Sequence, residues 1–288
     1  MTAWLLMLPA LTLLAAVFVG PLIRYAWLSA HATSVLTALV PVANGGANWH
    51  RLAQDARFWQ DASQTLRFAA VSVGLELVLG LALALLLRGP RGGGAAGGGL
   101  RTAVLLPWAL PATVMALGWR WIYNDPHGPL NSVLIAVGLP PYPFLSSPST
   151  TWFAVVIADV WKTTPFVALL LLAGLQAIPP ELEEALVLEG ANRWQILRRL
   201  LLPLLTPWIA LAALFRLAQA LGVFDLIQVL TGGGPAGSTE SLALYAYLNA
   251  MRFLDFGYGA TVLLATFLLL LLPGLLWLVW QRRAGSAA

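Results

Sequence analysis

Two apolar stretches of the sequence each carry a row of residues at helical spacing that begins with charged or polar side chains. In the first stretch, the spacing i, i+3, i+4 and i+7 joins Asp159, Lys162, Thr163 and Phe166. In the second, the same spacing joins Arg216, Gln219, Ala220 and Val223. Residues at this spacing share one helical face. Carboxylate, ammonium, guanidinium and amide groups make directional hydrogen bonds, and a phenyl ring can stack on the apolar face of a ligand ring. Both rows are therefore candidate contact surfaces for a hydroxylated ligand.

A structural alternative exists for the first row. Asp159 and Lys162 lie one helical turn apart, so they can form an ion pair that only fixes helix packing. Arg216 has no acidic neighbour on its own face, because Asp225 lies nine residues on and faces elsewhere. An unpaired charge near mid-membrane costs about 2.5–3.5 kcal/mol. Arg216 is therefore predicted to lie beside a wet cavity, whereas Glu76 is either a structural partner or a functional group.

Composition predicts the setting of these rows. Hydrophobic residues form 59% of the 288 residues and charged residues only 10%, whereas soluble domains carry about 25% charged residues. Several windows hold about 20 apolar residues, the length that crosses a bilayer. We therefore expect an all-α, polytopic membrane protein with one domain over residues 1–288. The six predicted transmembrane helices are 4–28, 68–88, 102–123, 151–176, 205–230 and 257–280.

Local features refine these spans. The first segment lacks a basic start and is longer than the apolar part of a signal peptide, so a membrane span is favoured. Pro107 and Pro111 should bend the third span. The glycine-rich stretch 89–99 has no following Lys-Ser/Thr pair, so it is predicted to be a flexible tether rather than a phosphate loop.

Several function classes are excluded or disfavoured. The chain has no cysteine, which excludes disulfides and thiol catalysis, and its three histidines are too scattered for a metal centre. A net charge of +4 without patterning gives no reason to expect nucleic acid. No P-loop sequence is present, so the chain has no recognisable means of hydrolysing ATP on its own. We expect this chain to be no enzyme and to hold no cofactor.

The arginines of the connecting loops predict an orientation, because cytoplasmic loops carry an excess of basic residues. One set of loops holds Arg88, Arg91, Arg101, Arg193, Arg198, Arg199, Arg282 and Arg283. The opposite set holds Arg24, Arg51, Arg57, Arg67 and Arg252. This bias places both termini and residues 177–204 in the cytoplasm, with 29–67, 124–150 and 231–256 outside.

A charged segment, EEALVLEGANRWQILRRLLLP (183–203), lies between two apolar stretches. A proline pair and acidic residues favour a helix start near Glu181. Gly190 interrupts it, Asn192 can cap a second helix, and Pro203 is expected to end that helix. The residues alone predict an amphipathic helix pair at the membrane surface, with or without a docking partner.

This segment resembles the EAA loop of binding-protein-dependent ABC importer permeases. The motif residues are Glu184-Ala185-Leu186, Gly190-Ala191 and Leu202-Pro203. Leu186 and Glu189 depart from the usual alanine and aspartate. The stretches IYNDPHGPLN (122–131), DVWKTTPFVALLLLAGLQAIP (159–179) and FDLIQVLTGGGP (224–235) are similar to the carbohydrate-uptake branch for maltose, trehalose and glycerol-3-phosphate, and most similar to its first permease subunit.

The resemblance implies a type I importer permease fold with a cytoplasmic coupling segment at 181–203. The residues expected to contact the ATPase are Glu184, Ala185, Glu189, Gly190 and Ala191. An external loop predicted to contact the binding protein contains Gly232, Gly233, Gly234 and Pro235. Both polar rows align with sugar-contacting positions of the maltose-type permease. The implied partners are a second homologous permease, an ATPase dimer that binds ATP and Mg²⁺, a solute-binding protein, and the lipid of the bacterial cytoplasmic (inner) membrane.

Other functions fit parts of the sequence. Arg216 and Lys162 leave an anionic solute such as glycerol-3-phosphate open as the substrate. A membrane enzyme acting on lipid-linked sugars is disfavoured, since no clustered acids or histidine-rich motif lies at a membrane face. A secondary transporter is disfavoured because such folds often contain inverted repeats and none is evident.

Overall fold

The computed structural model describes residues 2–35, 38–88 and 95–285. The chain is mostly helical. Its N-terminal part contains α1 (Thr2–Leu14), a π-helical turn (Ala15–Val19), α2 (Gly20–Ser29), β1 (His31–Ser34), β2 (Ala38–Ala43), α3 (Ala47–Gln54) and α4 (Ala56–Arg88). The middle contains α5 (Ala95–Ala109), α6 (Ala112–Ile122), α7 (Pro129–Ala136), α8 (Pro148–Gln176), α9 (Pro180–Leu188) and α10 (Arg193–Ile196). A second π turn (Leu197–Leu201), α11 (Leu202–Leu221), α12 (Asp225–Leu230), α13 (Leu242–Tyr247), a third π turn (Leu248–Arg252) and α14 (Phe256–Gly285) complete the order.

Two compact units divide the chain. One comprises Met1–Thr65 with Glu240–Leu276, and the other comprises Leu66–Thr239 with Trp277–Ala288. In the first unit, β1 and β2 form an antiparallel hairpin in which His31 pairs with Ala43. The all-α prediction missed this hairpin, because the strands are too short to show a clear two-residue alternation.

A tyrosine–carboxylate cluster stabilises the first unit. The hydroxyl of Tyr245 donates to Asp55 Oδ2 over 2.5 Å, and the hydroxyl of Tyr258 donates to the same oxygen. Burial would raise the pKa of Asp55, but these hydrogen bonds and two from backbone amides outweigh it and lower that pKa. Nearby, Arg57 forms a two-pronged ion pair with buried Glu240, at 3.1 and 2.8 Å. The ends of α3, α4 and α13 are thus joined by polar contacts as well as by apolar packing.

The second unit contains a large apolar core built by α4, α8, α10 and α11. Val167, Leu171 and Leu175 of α8 are fully buried there, as are Ala84 of α4 and Leu205 of α11. Gly174 of α8 allows close approach, because a Cβ at this position would lie 2.6 Å from the Trp208 ring. The core fixes these helices against one another and so determines where their polar residues meet.

Four described helices are long and apolar enough to cross a membrane: Met7–Ser29, Ala56–Arg88, Pro148–Gln176 and Arg193–Leu221. A fifth possible span is the bent pair Thr102–Ala109 and Ala112–Ile122. The sixth predicted span, 257–280, falls on α14 (Phe256–Gly285), in which the described side chains form an apolar helix from Phe256 to Leu269. The structure therefore supports four or five spans, and the count of six stays a prediction.

The predicted kink in the third span is present and larger than a simple bend. The two halves meet at 95°. α5 ends at Ala109 and Pro111 precedes the first residue of α6. Proline disfavours the helical conformation of the residue before it. Leu110 precedes Pro111, so the helical hydrogen bonds are interrupted at Leu110. The last carbonyl groups of α5 are consequently available to side chains.

Two boundary predictions were wrong, and part of a third falls on a helix. Pro203 does not end a helix: it lies directly after the π turn Leu197–Leu201, as the second residue of α11. The wider π turn before it keeps the helix continuous from Arg193 to Leu221. The fifth predicted span, 205–230, is broken after Leu221 and resumes as the short helix α12. Residues 89–94 of the predicted tether lie outside the described residues, and 95–99 begin α5.

Candidate functional site

A buried charge network joins three helices of the second unit. Arg216 of α11 donates from Nε to Oε2 of Glu76 over 2.5 Å and from Nη2 to Oε1 over 2.9 Å. The same Nη2 lies 3.1 Å from Oδ2 of Asp159 on α8. Thr163 Oγ1 lies 2.7 Å from Oε1 of Glu76, and Gln219 Oε1 accepts from Nη1 of the arginine over 2.6 Å. We call these five residues the Arg216 network.

Burial makes the pairing within the network obligatory. Glu76 is 0% exposed, Arg216 is 2% exposed and Asp159 is 7% exposed. A buried charge without a partner is strongly unfavourable, whereas a hydrogen-bonded pair offsets much of the desolvation. The expectation that Arg216 is unpaired was therefore wrong. Its partners come from α4 and α8, which lie far away in the sequence.

Lys162 has different partners from those predicted for it. Its Nζ donates to the carbonyl oxygens of Leu110 over 2.6 Å and of Trp108 over 3.2 Å. These carbonyls lie at the break between α5 and α6, where the last carbonyls of α5 have no helical partner. Among the described residues, Lys162 makes no ion pair with Asp159 within 4.0 Å, so the structural alternative of an Asp159–Lys162 pair was also wrong.

An aromatic platform lies beside this lysine. The ring of Phe166 stacks on Trp108 with centroids 5.8 Å apart and meets the edge of Phe215 at 6.4 Å. Trp108 is 46% exposed and Phe215 is 50% exposed. The platform of Trp108, Phe166 and Phe215 thus presents apolar ring faces next to an ammonium group. Such an arrangement can stack on a sugar ring while Lys162 offers a hydrogen-bond donor.

The two sequence rows are therefore only partly brought together. Asp159, Thr163 and Arg216 meet in the buried network, and Gln219 joins them from an exposed position. Lys162 and Phe166 are half-buried at the platform. Ala220 is buried, and Val223 is half-buried beyond the end of α11. Sequence reasoning missed Trp108 and Phe215. The signal available for Trp108 was its place beside the helix-breaking Pro107, and Phe215 directly precedes Arg216.

The charged segment forms α9, a tight turn and α10. Glu181 and Glu183 lie in the first turn of α9, and Gly190 follows the helix with φ +83°. Only glycine adopts this conformation without strain. Asn192 and Gln195 form the reciprocal N-terminal cap of α10, with hydrogen bonds of 2.8 and 2.9 Å. This part of the segment folds as the residue types predicted.

The surface of this segment is unusually apolar for a charged stretch. Leu188 is 89% exposed, Trp194 is 63% exposed and Val187 is 58% exposed. Glu184, Ala185, Glu189 and Gly190 are also exposed, and Ala191 is half-buried. Arg88 at the end of α4 holds Glu183 through a 2.5 Å ion pair. An anchored helix with exposed apolar side chains can contact another protein without first becoming ordered.

Hydrogen bonds within the TGGGP loop close it on itself. The side chains of Thr231 and Thr239 meet at 2.8 Å, and Thr239 Oγ1 also donates to the Gly234 carbonyl over 2.9 Å. Gly232 and Gly233 have φ of +62° and +88°. Pro235 is half-buried. The hydrogen bonds therefore hold the loop in one backbone conformation, which requires the positive φ angles that glycine adopts without strain.

Comparison with known proteins decides the family. A profile described as "Binding-protein-dependent transport system inner membrane component" matches residues 76–284. The chain belongs to this family of transport permeases. It is a multi-pass membrane permease and no enzyme, since ATP hydrolysis in such systems resides on a separate subunit. Within the described ranges, no group of three or more His, Asp or Glu side chains is placed to hold a metal ion.

Named relatives of this permease belong to sugar transport systems. The trehalose/maltose transport system permease MalF of Thermococcus litoralis is 41% identical over 93% of this chain and 89% of its own. The sulfoquinovosyl glycerol permease SmoG of Agrobacterium fabrum is 36% identical, over 93% of this chain and 86% of its own. The trehalose permease SugA of Mycobacterium tuberculosis is 37% identical, over 90% of this chain and 82% of its own.

Solved structures give the same fold. The permease aligns with a chain of a bacterial alginate ABC transporter in complex with an alginate-pentasaccharide-bound periplasmic protein, with a TM-score of 0.83. That alignment covers 98% of this chain and 94% of the other, at 22% sequence identity. The likeness supports the ABC importer permease architecture for this chain.

Proposed function

We propose that this permease forms half of the membrane pathway of an ATP-driven importer for a sugar, namely a disaccharide, an oligosaccharide or a glycoside. The observation that carries the proposal is the exposed aromatic platform beside Lys162. Stacked ring faces and a single donor suit a sugar, which has an apolar ring face edged by hydroxyls. The trehalose/maltose and sulfoquinovosyl glycerol relatives support this substrate class.

Within this proposal the residues of the two rows have two different roles, contact with the solute and support of the helices. Lys162, Phe166 and Gln219 contact the solute, together with Trp108 and Phe215 of the platform. Asp159, Thr163 and Arg216 lie behind these residues and hold the helices that carry them. Ala220 and Val223 add apolar surface at the end of α11. Gln219 links the two groups, because it is exposed and also bonds Arg216.

The segment 181–203 is the proposed contact with the ATPase subunits. Its apolar side chains are exposed, and Arg88 fixes α9 to the end of α4. Glu184 and Ala185 lie on the exposed side of α9, and Glu189, Gly190 and half-buried Ala191 form the turn after it. A push on this rigid segment passes directly into the continuous helix Arg193–Leu221, which carries Arg216. Closure of an ATPase dimer around ATP and Mg²⁺ would thereby move the helices that line the solute pathway.

The remaining architecture follows from the same proposal. Six spans with both termini in the cytoplasm place 181–203 inside and the TGGGP loop outside, in a bacterial inner membrane. A second homologous permease completes the pathway, and a solute-binding protein delivers the sugar. Gly232, Gly233, Gly234 and Pro235 are proposed to contact that protein, since the threonine hydrogen bonds hold their backbone in a fixed shape.

An anionic solute such as glycerol-3-phosphate is a second candidate. Lys162 favours it, because its half-buried ammonium group hydrogen-bonds two neutral carbonyl oxygens and forms no ion pair among the contacts described. A phosphate could replace those oxygens as the partner. The two substrate classes differ in what they require: a sugar needs the platform, and a phosphate needs the ammonium charge.

The test uses the whole complex in proteoliposomes, with its binding protein and ATP. Phe215→Ala should reduce disaccharide uptake about 2- to 10-fold, since an aromatic contact contributes roughly 0.5–1.5 kcal/mol. Phe153→Ala is the matched control, because Phe153 of α8 is 58% exposed, against 50% for Phe215, but lies outside the platform. Equal uptake in Phe215→Ala and wild type would contradict the sugar proposal. Uptake of glycerol-3-phosphate that is lost in Lys162→Gln alone would favour the second candidate.

A further inference from the structure

A cleft of about 530 Å³ lies beside α9, apart from the platform and the Arg216 network. Leu85 and Arg88 from the end of α4 form one wall, and Glu183 of α9 forms another. Arg193 begins α10 on the third side, and Leu197 and Leu201 follow along the π turn. The transport function described above assigns no ligand to this cleft.

The lining has two chemically distinct parts. Leu85, Leu197 and Leu201 give it an apolar surface, whereas two arginines and one glutamate give it a net formal charge of +1. The charge of Arg88 is offset by Glu183 through the 2.5 Å ion pair. Arg193 is exposed at the start of its helix. A ligand that fits both parts must carry an anionic group next to a hydrocarbon chain.

The position of the cleft identifies the source of such a ligand. Leu85 and Arg88 lie at the last turn of the apolar span Ala56–Arg88, and Arg193 is the first residue of the span Arg193–Leu221. The ends of spanning helices lie at the membrane interface, where lipid headgroups are found. Basic pockets between such helices bind lipid headgroups. Arginine presents paired N–H donors that match a phosphate.

We propose that this cleft is a binding site for one anionic phospholipid. The headgroup phosphate lies against Arg193 and the free edge of Arg88, and an acyl chain covers Leu85, Leu197 and Leu201. The lipid would connect the end of α4 to the second half of the proposed coupling segment, where the helix Arg193–Leu221 begins. This inference concerns lipid only, and it holds or fails independently of which solute the permease carries.

The experiment measures lipid retained by the intact transport complex. The complex is purified in a mild detergent, stripped of lipid, and titrated with phosphatidylglycerol or phosphatidylcholine, and bound lipid is counted by native mass spectrometry. Wild type should bind one phosphatidylglycerol at least tenfold more tightly than phosphatidylcholine. Arg193→Gln should lose most of this preference. Arg199→Gln removes the same charge from an exposed position outside the cleft, so it should keep the preference.

A second variant tests the apolar part without changing charge. Leu197→Trp should fill the cleft and lower the occupancy of both lipids at this site, while the complex still elutes as one assembly. Several results would overturn the proposal. These are equal binding of the two lipids by wild type, an equal loss in Arg199→Gln, or full retention in both cleft variants. Displacement of the lipid by inorganic phosphate alone would instead assign the cleft to a soluble anion, and exclusion of lipid whenever the ATPase is bound would assign it to that subunit.

Discussion

Replacing Arg216 with alanine should destabilise the complex before it affects any solute contact. The substitution removes the only guanidinium that bonds Glu76 and Asp159 in the described contacts and leaves two carboxylates buried. Breaking a buried ion pair by removing one partner costs about 3–5 kcal/mol. At about 2–4 °C per kcal/mol for a protein of this size class, the midpoint of thermal unfolding should fall by roughly 6–20 °C.

Two further variants separate the network from simple loss of a side chain. The triple variant Glu76→Gln/Asp159→Asn/Arg216→Met removes all three charges, so it should recover much of the lost stability, because neutral replacements of a buried pair are often tolerated. Arg252→Ala removes an exposed arginine and should shift the midpoint by no more than about 2 °C, since exposed substitutions are usually within ±0.5 kcal/mol.

The assay is size-exclusion chromatography of the detergent-solubilised complex after heating, with the fraction of intact complex read from fluorescence. The reasoning would be refuted if Arg216→Ala melted within about 2 °C of wild type. A triple variant that melted below the single variant would also refute it, because the penalty would then not arise from unpaired carboxylates.

Three other substitutions test separate parts of the structure. Gly190→Trp should abolish solute-stimulated ATPase activity. The protein should still insert, because a side chain at this position meets open space. Gly138→Trp is the control and should retain coupling, since Gly138 has a similar φ of +81° and an equally open surrounding. Lys162→Ala should weaken sugar uptake several-fold with little change in basal ATPase activity, and normal uptake would exclude a substrate contact. The lowered pKa of Asp55 predicts stability that is present above about pH 4 and lost as the pH falls through the folded-state pKa. Asp55→Asn should therefore lower the midpoint of thermal unfolding at pH 7, where the hydrogen bond from Tyr245 to the carboxylate contributes about 1.5–3 kcal/mol. The fall of this midpoint between pH 5 and 3 should also be smaller in the variant than in wild type. An unchanged dependence of the midpoint on acid pH would contradict the assignment.

Local signals in the sequence predicted local structure well. The acidic first turn of α9, the positive φ of Gly190 and the cap at Asn192 all follow from preferences that act within four residues. The break near Pro111 likewise follows from one residue type. Family membership was predictable because the EAA-like motif combines several such signals at a fixed spacing.

Contacts between distant segments were not predictable. Glu76 and Arg216 are separated by 140 residues, and nothing in the local spacing of either residue indicates the other. The pairing depends on how α4, α8 and α11 pack, which periodicity alone does not determine. The same reason explains the missed platform, because Trp108 and Phe166 meet only once the third span bends. The prediction that Pro203 ends a helix was wrong because the π turn before it alters the backbone hydrogen-bond pattern at that position.

Uptake in a defined system tests the central claim most directly. The permease is reconstituted into proteoliposomes with its second permease and ATPase subunits, with its binding protein added outside and labelled trehalose or maltose as the probe. The proposed function predicts accumulation that requires both enclosed ATP and the binding protein and that disappears in Gly190→Trp. Accumulation without ATP, or without the binding protein, would contradict it, as would a complex that hydrolyses ATP in response to its binding protein yet moves neither sugar nor any other glycoside offered.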